Sequence, residues 1–270
     1  MLRELPPQKW SWPLSLVCLA TMLSLGCGSA RGVAPDQFEK VTVLAAASTA
    51  EAIEEVAGLL EQRDSRVRIE ISTGSSNGLA QQVLSGAPAD LFISANKEWA
   101  DVVVEEGMAR ETVELLSNRL VLIAPRGNPA KVGAPADLVA PRLSRVAIAG
   151  DNVPAGVYGE QALRSLMLFD ELRESGRLVR GSNVRITMAY VERGEADAGI
   201  VYATDARISD RVEVVASFDA RTHDSIVYSA VLLKSESERA ASTDFFQFLQ
   251  SAAARAVFDR YGFAPPASQP

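Results

Sequence analysis

The chain has 270 residues, 47% hydrophobic and 23% charged, the make-up of an ordinary soluble globular protein of one or two domains able to bury a real core. Its formal net charge is −7, and an acidic chain without basic runs is a poor nucleic-acid binder, so no nucleic-acid partner is expected. At the N-terminus, Arg3 and Lys9 precede an apolar run from Leu14 to Leu25. That run is too short to span a bilayer but has the length of a signal-peptide core.

The run ends in Leu23-Ser24-Leu25-Gly26-Cys27, which resembles a bacterial lipoprotein lipobox, with small Gly26 before a cysteine that is lipidated after cleavage. Ser24 departs from the usual leucine three places before the cysteine, and Leu23 stands one place earlier. The expectation is a lipoprotein signal peptide over residues 1–26, a lipid anchor on Cys27, a small polar tether over 27–40 and an extracytoplasmic, membrane-anchored location. Cys18 leaves with the signal peptide, so the mature chain has no disulfide and no thiol chemistry. Losing Arg3, Lys9 and Glu4 removes one net positive charge and takes the mature chain from −7 to −8.

The folded part opens with an apolar strand ending near Ala47, followed by a helix with Ile53, Val56, Ala57 and Leu60 on its buried stripe. Ser48 with Glu51 three residues later has the spacing of a capping box. Val67 to Ile71 alternates apolar and charged like a half-buried strand. The polar turn Thr73-Gly74-Ser75-Ser76-Asn77-Gly78 follows, then a helix carrying Leu79, Ala80, Val83 and Leu84 that stops at Gly86 and Pro88. Either Ser75 or Ser76 suits the cap of that helix. The short apolar run Leu91-Phe92-Ile93 fits a parallel strand covered on both faces. In such a sheet the turns after Ala47 and Ile71 lie side by side, at the strand ends where open α/β sheets bind ligands.

Further on, Asn96 is an N-cap for a helix that carries Trp99 as a packing residue and stops at Gly107. Leu115 to Pro125 reads as one strand. A similar rhythm then returns: a strand from Arg145 to Ala149, a polar turn, and a helix from Ala155 with Pro154 in its first turn. The turn Arg180-Gly181-Ser182-Asn183 leads to a helix over Val184 to Arg193, and a strand covers Ala198 to Tyr202. This is the pattern of two α/β lobes with a ligand cleft between them. Lobe 1 spans 41–119 and 222–270, completed by the aromatic C-terminal segment, and lobe 2 spans 120–221. The chain crosses between them near Leu120 and near Phe218, a hinge about which ligand-induced closure is expected.

Enzyme chemistry is poorly supplied. His223, the single histidine, sits in a polar stretch that reads as a solvated loop, so no Ser-His-Asp or Cys-His arrangement is available. Phosphate-loop and dinucleotide motifs are absent, as is metal-ligand spacing. Glu54-Glu55 and Glu105-Glu106 fall on exposed helix faces. What remains is a cleft of neutral donors: the Ser48, Ser75 and Ser76 hydroxyls, the backbone N–H groups of Ala155 and Val184, and Tyr202. Such donors select an acceptor-only ligand, a fully deprotonated oxyanion. Hydrogen bonds to a charged group contribute about 1.5–3 kcal/mol each. Five or so supply the roughly 8–12 kcal/mol of micromolar to nanomolar binding after association costs.

These residues carry a family resemblance. Ala45-Ala46-Ala47-Ser48, Gly74-Ser75-Ser76 with Leu79-Ala80, Gly86 to Ala95, Val153 to Tyr158, Val191 to Ala196, Gly199-Ile200-Val201-Tyr202 and Arg260-Tyr261-Gly262-Phe263 span residues 41 to 263. In that order they resemble the molybdate-binding proteins of bacterial ABC transporters, type II periplasmic solute-binding proteins. The resemblance implies a two-lobed type II periplasmic-binding fold, each lobe a mostly parallel sheet flanked by helices. It implies no catalysis and no cofactor. Molybdate or tungstate is then held through its oxygens by Ser48, Ser76, Ala155, Val184 and Tyr202, and delivered by a monomer to an ABC permease. Sulfate or phosphate is the alternative ligand. Thr49 and Asn77-Gly78 depart from the leucine and Ser-Thr that relatives often carry, and Asn77 is an additional potential donor.

Overall fold

The computed structural model describes residues 38–235 and 239–266. The expected signal peptide, Cys27 and the tether as far as residue 37 lie outside the described residues. The remainder of the expected tether is already structured: strand β1 starts at Glu39, two residues before the apolar pattern announces it, because Glu39 N–H donates to Arg66 O at 2.7 Å.

The first half of the chain runs β1 (Glu39–Ala46), a 3-10 turn (Ala47–Thr49), α1 (Ala50–Arg63), β2 (Val67–Gly74), α2 (Ser76–Leu84), β3 (Leu91–Ser94), α3 (Lys97–Glu105) and β4 (Ala109–Ser117). The second sheet is built from β5 (Leu120–Pro125), β6 (Val146–Ala149), β7 (Leu178–Gly181), β8 (Ala198–Tyr202) and β9 (Val212–Ser217). Between these lie α4 (Pro154–Ser165), α5 (Phe169–Glu174), α6 (Val184–Glu192) and α7 (Ala203–Arg207). The chain then returns through β10 (Val227–Leu233), α8 (Ala240–Phe248) and α9 (Ala252–Tyr261).

The two lobes repeat one topology without repeating a sequence. The first sheet has the order β2-β1-β3-β10-β4 and the second β7-β6-β8-β5-β9. In each, three parallel strands are followed by two reached through antiparallel pairing. Both faces of β3 are covered, which is why its run is wholly apolar: Leu91 and Ile93 join the main core, whereas Phe92 packs with Leu79, Val83 and Val103 of α2 and α3 on the other face. On the C-terminal helices, Phe245, Phe246, Val257 and Phe258 are buried in the main core. Fully burying a side chain of this size contributes about 1.5–3 kcal/mol. Among the described residues no helix is long and apolar enough to cross a membrane.

Two expectations change here. The run from Leu115 to Pro125 is not one strand: Asn118 and Arg119 separate β4 from β5, which belong to different sheets. Apolar residues continue on both sides of the crossing because each sheet needs its own core strand there. The six-residue turn after Ile71 also shrinks, since β2 continues to Gly74 and α2 already begins at Ser76. Ladder bonds to β1, which extend the pairing to Ala46 opposite Gly74, outweigh the turn preference of Ser, Thr and Gly. The two crossings touch, with Phe218 N–H donating to Leu120 O at 3.0 Å and Asn118 N–H to Ile226 O at 3.3 Å.

Candidate ligand-binding site

The register of the parallel pairs places the site. Ala46 stands opposite Gly74, and Ala149 of β6 opposite Gly181 of β7, so each lobe presents two adjacent strand-to-helix turns. Between them is a small cavity lined by Ser48, Ser76, Ala155, Val184 and Tyr202 among others. All five residues named from the sequence therefore meet around one space. Ser75 also lines it. Asn77 does not, and the hydroxyl of Thr49 is taken by Ala46 O at 2.8 Å, so neither adds a donor to the cavity. None of the lining residues carries a charged side chain.

None of the three serines makes a capping hydrogen bond. Ser48 lies inside the 3-10 turn, and the N-cap of α1 is Thr49, which makes no side-chain cap bond. The Ser48 hydroxyl instead pairs with Tyr228 Oη at 2.8 Å, a partner 180 residues away that no capping pattern could reveal. Ser75 is the N-cap of α2 by position but makes no cap bond. Ser76 Oγ accepts from Ala95 N–H at 2.9 Å. With that lone pair engaged, the Ser76 hydroxyl proton remains available for the cavity.

Backbone donors arise from how the helices begin. Pro154 is the first residue of α4 and has no N–H, so Ala155 supplies the first donor, which has no intrahelical acceptor. The helix sits unusually close to its strand because residue 156 is glycine: a Cβ there would lie 2.1 Å from Gly150 O and 2.5 Å from Ala149 O. On α6, Asn183 Oδ1 caps Ile186 N–H at 3.0 Å, leaving the first-turn N–H of Val184 beside the cavity. The helix dipoles of α2, α4 and α6 add positive potential at the same place.

Tyr202 is the most informative member. It is 1% exposed, and its hydroxyl has no hydrogen-bond partner among the described residues. Burial, reinforced by Tyr228, pushes its phenol well above the ordinary value, so it stays a proton donor. A buried hydroxyl left unpaired costs about 1–3 kcal/mol. A ligand oxygen in the cavity would remove that cost.

The lobes are joined beside the cavity. Trp99, expected to be a packing residue, uses its indole N–H to donate to Asn152 O at 3.1 Å across the cleft. Arg185 of α6 donates to Glu51 of α1 at 2.6 Å and lies 2.8 Å from Asp205, an ion pair too bent for a hydrogen bond. Burial pushes the Asp205 carboxyl up to about 7, against the pull of Arg185. His223 packs edge-on against Tyr158, with ring centroids 6.0 Å apart, and does not line the cavity.

This combination, a donor-lined cavity between two lobes of repeated topology, defines a solute-binding protein. Residues 41–264 match the family of bacterial extracellular solute-binding proteins, and the chain belongs to that family. The molybdate-binding protein ModA of Haemophilus influenzae is 40% identical over 232 residues, covering 83% of this chain and 90% of that one. The putative ABC transporter substrate-binding lipoprotein YvgL of Bacillus subtilis is 36% identical over 249 residues, 90% of this chain and 94% of its own. Among solved structures, the periplasmic molybdate-binding protein of Azotobacter vinelandii superposes with a TM-score of 0.75 at 25% identity, covering 84% of this chain and all of that one.

Proposed function

We propose that the protein captures molybdate or tungstate outside the cytoplasm and delivers it to an ABC permease, without catalysing a reaction. The carrying observation is the cavity itself, whose lining offers neutral donors and no side-chain carboxylate to accept a proton from the ligand. Ser48, Ser76, Ala155, Val184 and Tyr202 hold the anion through its oxygens, and the molybdate-binding relatives support the choice of ion. The mature protein acts as a monomer anchored by lipid at Cys27, with lobes over 41–119 plus 222–270 and over 120–221. Ligand-driven closure of these lobes is the signal to the permease.

Tyr202→Phe tests the reading cleanly. The lost hydroxyl has no partner among the described residues, so the melting temperature of ligand-free protein should hold or rise. Molybdate affinity should fall by about 1.5–3 kcal/mol, the contribution of a hydrogen bond to a charged group. Unchanged affinity on titration would remove Tyr202 from the site and the cavity from its role.

A further inference from the structure

Ser48 reaches the cavity as one end of a hydrogen-bond chain that begins in the crossing between the lobes. Asn118 Oδ1 accepts from Arg119 N–H at 2.8 Å, which fixes the amide so that Nδ2 faces inward. Nδ2 carries two protons and has two acceptors, Thr204 Oγ1 at 2.9 Å and Tyr228 Oη at 3.2 Å. Tyr228 Oη thus accepts from Asn118, and its own proton goes to its remaining neighbour, Ser48 Oγ at 2.8 Å. Ser48 then spends a lone pair on Tyr228 and keeps its proton for the cavity. Each link polarises the next, strengthening the last donor.

We propose that Tyr228 and Asn118 are positioning residues for ligand recognition, fixing the Ser48 hydroxyl as a donor and so tuning the site to oxyanions without a proton. The inference rests on the oxyanion-binding reading above. Tyr228 is fully buried and touches Tyr202 and Phe263 edge-on at 5.9 and 5.4 Å, contacts that phenylalanine retains. Without the phenol proton, the Ser48 hydroxyl rotates freely and offers lone pairs as readily as its proton.

The test is a double-mutant cycle read by molybdate titration of wild type, Tyr228→Phe, Ser48→Ala and the double variant. Tyr228→Phe should weaken binding about two- to tenfold, the equilibrium change of one hydrogen bond, and should change little once Ser48 is alanine. Equal losses in both backgrounds, or none in either, would overturn the positioning role, because a merely structural tyrosine acts regardless of Ser48. Should Tyr228→Phe fail to fold, Asn118→Ala in the same two backgrounds is read by the same criterion. A wild type that binds no molybdate overturns the functional reading together with this inference, whereas a tight-binding wild type with uncoupled variants overturns this inference alone.

Discussion

A Gly156→Ala protein is expected to bind molybdate about ten- to a hundredfold more weakly than wild type, the equivalent of one lost hydrogen bond to a charged group, and to melt at a lower temperature. The added methyl would meet two backbone carbonyl oxygens, at 2.1 and 2.5 Å, and backbone cannot swing aside as a flexible side chain does. Helix α4 must retreat from the end of β6 and take the Ala155 N–H with it. Overpacking of this kind costs about 1–3 kcal/mol of stability. Gly58, on α1, has nothing within 4 Å of the same ideal Cβ, so Gly58→Ala is the control and should stabilise by about 0.5–1 kcal/mol through helix preference alone. Weakened binding in Gly156→Ala and not in Gly58→Ala, by titration calorimetry, locates the effect at the start of α4. Equal affinities would show that α4 donates nothing to the ligand.

Arg185→Met is expected to cost about 1–1.5 kcal/mol more stability at pH 8 than at pH 5, the worth of the one pH unit by which pH 8 exceeds the wild-type Asp205 value, because removing one partner of a buried ion pair leaves the other uncompensated. Asp205 is 0% exposed, and its carboxyl is raised to about 7 mainly by burial even with Arg185 beside it. A carboxyl raised above its unfolded value holds its proton more tightly in the folded state. Its contribution is therefore complete below about pH 4 and is lost as pH rises through the folded value. For wild type that decline runs from about pH 4 to about pH 7. Without Arg185, burial acts unopposed and the decline continues above pH 7. Urea unfolding at pH 5 and pH 8 should show a deficit of the variant against wild type that is larger at the higher pH by about 1–1.5 kcal/mol. A deficit independent of pH would contradict the role given to Asp205. The variant also loses the contact from α6 to Glu51 on α1, one of the polar links between the lobes.

The elements most legible in the sequence were those whose signals are local. Asn96 caps α3 and Gly107 ends it with a φ of 72°, Pro154 opens α4, and β8 covers Ala198–Tyr202. The pairing of β1 with β2 followed from two strands each leading to a serine at a helix start. What escaped was non-local. The break at Asn118 is only two residues long, and its purpose is visible only once β4 and β5 are seen in separate sheets. Strands β7, β9 and β10 have no periodicity strong enough to stand out. Tyr228 sits in the apolar run of β10 and looks like core, yet its hydroxyl serves Ser48. At Ser48 local rules offer two readings, because a capping box and a hydroxyl turned to a ligand present the same letters. A polar tyrosine inside an apolar strand, together with Ser117-Asn118-Arg119 between two apolar runs, was the signal available for both.

The central claim is that neutral donors select an oxyanion carrying no proton. Titration calorimetry of the purified mature protein near neutral pH, against molybdate, tungstate, sulfate and phosphate in turn, tests it most directly. Molybdate and tungstate should bind with micromolar or tighter affinity, roughly 8–12 kcal/mol, and sulfate and phosphate far more weakly. Phosphate binding as tight as molybdate would contradict the account, since a protonated oxygen would then have found an acceptor that the cavity is argued to lack.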